Sequence, residues 1–76
     1  MSVTLENLQP GQKARIKKIT GDGPIRRRLL DMGLTASSII EMERYAPLGD
    51  PVEIKLNGEY HVSLRKEEAD SIILED

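Results

Sequence analysis

His61 is the one side chain here with an ordinary proton exchange near neutral pH, and it stands without a cysteine or a second histidine to work with. General acid–base catalysis needs such a group aimed at a reacting atom, whereas a lone histidine on an alternating strand reads as a solvated strand residue. Carboxylates are more plentiful, but Glu67, Glu68 and Asp70 fall together on one short turn and read as a solvated acidic face. With one His, no Cys and dispersed carboxylates, no close ligand set is expected. The sequence therefore points to no enzyme, no cofactor and no metal site.

Binding is the chemistry that remains. Eleven Lys and Arg against thirteen Asp and Glu give a net charge of −2, which denies the chain the overall basic field of a nucleic-acid binder. Placement is uneven: residues 12–28 hold Lys13, Arg15, Lys17, Lys18, Arg26, Arg27 and Arg28 against Asp22 alone, while residues 67–76 hold Glu67, Glu68, Asp70, Glu75 and Asp76 with no base. Arg26, Arg27 and Arg28 open a helix, where the dipole disfavours cations by about 0.3–1 kcal/mol each when exposed. Two readings are open: solvated guanidinium groups on a weak dipole, or an electropositive docking surface for an acidic partner. In the second reading Arg26 and Arg27 are contact residues, extended by Leu30 and Leu34, while Leu29 and Met32 face the core.

The second candidate surface is the loop Ala46-Pro47-Leu48-Gly49-Asp50-Pro51. Each proline fixes its own φ and restricts the residue before it, and Gly49 permits φ > 0, so the loop holds one shape. Leu48 stands on that frame beside Asp50. A stiff strand connection explains the prolines; an apolar contact on a pre-ordered frame explains the leucine as well. The only aromatic residues are Tyr45 and Tyr60, with Tyr60 assigned to the core. Aromatic-lined peptide grooves and base-stacking surfaces are therefore not expected.

These residues need a scaffold, and a chain of 76 residues supplies one domain, taken as 1–76. Ala14 and Ile16 alternate with Lys13, Arg15 and Lys17 as a half-buried strand. Pro24 suits a first helical turn, Ile25, Leu29 and Met32 recur at helical spacing, and Gly33 supplies a left-handed stop. Further strands are predicted over Ser38 to Tyr45, Val52 to Leu56, Glu59 to Leu64 and Ile72 to Glu75, with a helical turn over Arg65 to Ser71. Residues paired across a hairpin share a face, which excludes a two-residue Asn57-Gly58 loop because Ile54 would then meet His61. A three-residue loop Leu56-Asn57-Gly58 with Gly58 left-handed pairs Ile54 with Tyr60, Val52 with Val62 and Glu53 with His61. The fold class is mainly β: a small, strongly bent five-stranded antiparallel barrel with one short helix and one helical turn. No apolar stretch reaches the roughly 20 residues of a spanning helix, and the N-terminus lacks a signal-peptide layout. A cytoplasmic location is expected.

Three blocks, Arg28-Leu29-Leu30-Asp31-Met32-Gly33-Leu34, Ala46-Pro47-Leu48-Gly49-Asp50-Pro51 and Ser63-Leu64-Arg65-Lys66-Glu67-Glu68-Ala69, resemble in order and spacing the signature blocks of the ferrous iron transport protein A (FeoA) family. The resemblance covers nearly the whole chain. It implies an SH3-like barrel and a small cytosolic partner of the FeoB membrane transporter, whose cytosolic portion is a GTP-binding domain. The chain departs from the family at Ala36-Ser37, where Pro-Gly often follows the threonine. The fold also resembles the C-terminal domain of iron-dependent repressors, so a metal-responsive or peptide-binding SH3-like interaction domain is the alternative function.

Overall fold

The computed structural model describes residues 3–75; Met1, Ser2 and Asp76, which close the expected domain and its acidic end, lie outside the described residues. Its elements are strand β1 (Val3–Thr4), a 3-10 turn (Leu5–Asn7), β2 (Lys13–Ile19), helix α1 (Gly23–Asp31), β3 (Ile39–Tyr45), β4 (Val52–Leu56), β5 (Tyr60–Leu64), the single-turn α2 (Lys66–Ala69) and β6 (Ile72–Leu74). The six strands run in the order β1-β6-β2-β3-β4-β5, antiparallel throughout, with β1 and β5 at the two ends. The expected count was five. The added strand is β1, whose two residues carry too little periodicity to signal themselves and gain their pairing only from Ile73 and Leu74 at the far end of the chain.

The bend is made by β2, because Lys13–Arg15 pair with β3 while Ile16–Ile19 pair with β6. A bulge between Ile16 and Lys18 lets Lys17 and Lys18 both face solvent and returns Ile19 to the core. A second bulge between Met42 and Arg44 does the same on β3. The interior holds Ile16, Leu29, Ile40, Met42, Ile54, Leu64 and Ile72, all without solvent exposure.

Helix α1 is fixed at both ends by local chemistry. The Asp22 carboxylate accepts from Ile25 N at 3.3 Å, and Pro24 occupies the first turn. At the other end Gly33, with φ 90°, donates to Leu30 O at 3.0 Å while Leu34 N donates to Leu29 O at 3.0 Å. This is a Schellman closure, whose usual companion is an apolar contact by the residue after the glycine. Leu34 is accordingly fully buried. The expectation that Leu34 extends a contact surface is corrected: the helix stop turns it inward.

The β4–β5 hairpin keeps the predicted faces but shifts the register by two. Ile54 meets Val62, Val52 meets Leu64, Lys55 meets His61, and Leu56 meets Tyr60. The loop is therefore Asn57-Gly58-Glu59, with left-handed φ of 52° at Asn57 and 75° at Gly58. Leu56 decides the matter: in the predicted loop it would sit in solvent, whereas here it is only 4% exposed, a burial worth about 1.5–3 kcal/mol. Tyr60 keeps the core-side parity of Leu56, but β5 is a terminal strand, and Tyr60 is 63% exposed instead of buried. His61 lies opposite Lys55, not Glu53, and its Nδ1 sits 2.7 Å from Glu43 Oε1.

Candidate functional site

The loop between β3 and β4 is tied internally by Ala46 N donating to Pro51 O at 3.0 Å and Gly49 N to Ala46 O at 2.8 Å, with Gly49 at φ 79°. Asp50 extends the frame: its Oδ1 accepts from Lys66 N at 3.2 Å, which satisfies a free N–H at the start of α2. Leu48, at the tip, is 93% exposed, more than Tyr60, Leu30 at 44% or Ile39 at 36%. An apolar side chain that open on so braced a turn gains nothing for the fold where it stands.

Beside this loop lies a small cavity of about 140 Å³ between Tyr45, Gly49, Val52, Lys66 and Ala69. The Tyr45 hydroxyl faces Leu5 O and Leu8 O, each at 2.7 Å, and so pins the 3-10 turn against β3. Burial, and secondarily the charge of Glu6, raise the Tyr45 pKa above its ordinary value. Lys66 is held above its usual range first by its hydrogen bond to Asp70, at 3.3 Å, and then by that carboxylate's charge.

The arginine run resolves into three different environments. Arg26 donates through Nη1 to Ile19 O at 3.1 Å, so it ties α1 to the end of β2. Arg27 is exposed. Arg28 Nε lies 2.6 Å from Glu68 Oε2, where the Glu68 side chain is 6% exposed and that of Arg28 is 65%. Glu68 Oε1 accepts from Arg65 N at 2.8 Å. The reading of Glu67, Glu68 and Asp70 as one solvated face is thus corrected for Glu68, whose carboxylate is buried and doubly engaged. The expectation that Arg28 opens the helix is corrected: α1 begins at Gly23, so Arg28 falls in its last turn, where the dipole favours a cation, and its charge is met by Glu68 on α2. Nothing local in sequence forecasts that pairing, although the arginine run and the acidic turn each carry one half of it.

Of the residues proposed from sequence, Leu48 and Asp50 share the braced loop, while Arg26, Arg27 and Leu30 lie exposed on α1. Among the described residues no three His, Cys, Asp or Glu side chains gather into a metal-binding group. Among the described residues no helix is long and apolar enough to cross a membrane.

The FeoA domain model matches residues 3–76. A Porphyromonas gingivalis protein described as an Fe(2+) transport protein A/Fe(2+) transporter FeoB fusion is 39% identical over 71 residues, which cover 93% of this chain and 8% of that protein. The solution structure of iron(II) transport protein A from Clostridium thermocellum is 40% identical with a TM-score of 0.87, covering 96% of this chain and 44% of that one. The chain thus spans less than half the length of both relatives. A Stenotrophomonas maltophilia FeoA complexed with zinc, described as a prokaryotic SH3 domain protein, is 23% identical with a TM-score of 0.80 over 96% of this chain and 89% of that one. That likeness fixes the fold as SH3-like. With its family model spanning nearly every residue and relatives of about two-fifths identity over almost its full length, the chain belongs to the FeoA family.

Proposed function

We propose that this chain is a non-catalytic accessory protein of ferrous iron uptake, docking from the cytoplasm on a FeoB-type transporter and modulating its assembly or activity. The carrying observation is Leu48, 93% exposed on a loop whose own hydrogen bonds and Asp50 anchor leave little conformational freedom to lose on binding. Fusion of an Fe(2+) transport protein A to FeoB in the P. gingivalis relative supports that partner. In this reading Leu48 is the apolar centre, Asp50 fixes the loop, and Arg27 and Leu30 on α1 face an acidic rim. Arg26 holds α1 in place and contributes its remaining guanidinium edge. The GTP-binding portion of the transporter is the docking partner that the family resemblance implies.

The test is binding of the purified cytosolic portion of a FeoB-type transporter to parent and Leu48→Ala protein. Interface anchors carry most of the energy, so the substitution should cost on the order of 1–2 kcal/mol of affinity while the melting temperature stays close to the parent's. Unchanged affinity together with a melting temperature lowered by many degrees would make the loop a structural brace and remove Leu48 from the site.

A further inference from the structure

The buried Glu68 carboxylate does more than neutralise one arginine. It holds Arg28 from α1 and the backbone of Arg65 at the start of α2, and so brings two guanidinium-bearing residues from distant parts of the chain to one place. Two open grooves flank this arrangement. One, between Pro24, Ile25 and α2, also carries Glu67, which balances its charge. The other, of about 390 Å³, is lined by Arg28, Pro51, Ser63, Arg65 and Glu68. Here two guanidinium-bearing residues face one carboxylate, which is already engaged by a hydrogen bond from Arg65 N and an ion pair with Arg28. Among the described residues neither Arg28 Nη group nor the Arg65 guanidinium has an acceptor of its own.

We propose that the groove between Pro51, Ser63, Arg28 and Arg65 receives a carboxylate side chain from an acidic segment of the partner protein. This rests on the docking reading above and names the chemistry of the partner's contact. A planar guanidinium offers paired donors that match a carboxylate, and one held in place by a buried anion loses less freedom on forming that contact. Ser63 adds a hydroxyl donor on the same wall. Pro51 closes the Leu48 loop, so the apolar contact and the anion contact lie on one continuous frame. The partner segment would present an apolar pocket for Leu48 with an aspartate or glutamate beside it.

The probe is a short blocked oligo-aspartate peptide titrated into isotope-labelled protein at low ionic strength, followed by NMR. The expected shifts centre on the Ser63 and Arg65 amides and on Arg28 Nε. Arg65→Gln, which keeps the backbone N–H that Glu68 accepts from, should weaken the peptide about tenfold. Arg28→Gln is the poorer variant because it removes the counter-charge of a buried carboxylate. The proposal is overturned by shifts centred on Lys13, Arg15 and Lys17 of β2 or on Arg27, by an absence of shifts, by an Arg65→Gln affinity equal to the parent's, or by inorganic phosphate competing as well as the peptide. A free peptide reports on the groove alone, so failure here leaves the Leu48 experiment standing, and failure there leaves this one.

Discussion

Replacing Glu68 by glutamine tests whether the ion pair between α1 and α2 organises this face of the molecule. In the parent both carboxylate oxygens are used, Oε1 by Arg65 N at 2.8 Å and Oε2 by Arg28 Nε at 2.6 Å. An amide keeps the shape but offers a single acceptor, so if its oxygen stays on Arg65 N its NH₂ confronts the Arg28 donor. Hydrogen bonds to charged groups contribute roughly 1.5–3 kcal/mol. The Arg28 side chain is 65% exposed and remains hydrated when released, which places the loss at the low end of that range. A loss of about 1.5–2 kcal/mol lowers the melting temperature of a domain this size by roughly 6–16 °C, at about 4–8 °C per kcal/mol. The assay is thermal and denaturant unfolding of parent, Glu68→Gln, Arg28→Gln and the double variant. The coupling energy should be on the order of 1 kcal/mol or more, since the two side chains touch. Added salt should weaken it only in part, because one partner is buried. A Glu68→Gln protein within about 0.5 kcal/mol of the parent and a coupling energy near zero would refute the claim that Glu68 holds the two helices together.

Backbone conformation gives a matched pair of predictions. Ser37 stands at φ 79° in a turn closed by Ser38 N on Thr35 O at 3.1 Å, so Ser37→Gly should stabilise by about 0.5–1 kcal/mol in denaturant unfolding. Gly58, at φ 75° with open space where a Cβ would go, should show the opposite sign: Gly58→Ala costs about 1–2 kcal/mol from backbone strain alone. Because the Tyr45 pKa is raised in the folded state, its contribution is fully present below pH 10 and is lost as pH climbs through the folded value. Tyr45→Phe should therefore be less stable than the parent near neutrality and show a shallower alkaline loss, as read from unfolding midpoints across pH; parallel curves would exclude Tyr45 as its source. Calorimetry with ferrous or zinc ion under reducing conditions should show no stoichiometric submicromolar site, given the dispersed ligands, and a tight site would overturn that reading.

Much of the architecture follows from local chemistry. The span of β4 is read directly from its alternation, and α1 from its proline, its helical apolar spacing and the glycine that ends it. The faces of the hairpin follow from parity, and the left-handed Gly58 follows from the need for a three-residue loop. The blocks around Gly33, Leu48 and Arg65 carry the family in their residue types and order. Each of these depends on neighbours within a few positions, which is the range over which a sequence pattern constrains the chain.

What the tertiary structure decided depends on partners far along the chain. A shift of two residues preserves every face, so parity could not tell the predicted register from the observed one; the burial of Leu56 under the helix end did. Tyr60 sits on the core side of β5 and yet is open, because nothing in its own strand says that β5 ends the sheet. Val3 and Thr4 become a strand only when Leu74 and Ile73 arrive beside them. Leu34 is drawn inward by the Schellman closure, for which Gly33 was the available signal. Glu68 reads as one more carboxylate on an acidic turn until Arg28, forty residues earlier, is folded against it. Burial of a charge is stable only with a counter-charge in place, and that partner is supplied by packing and not by sequence spacing.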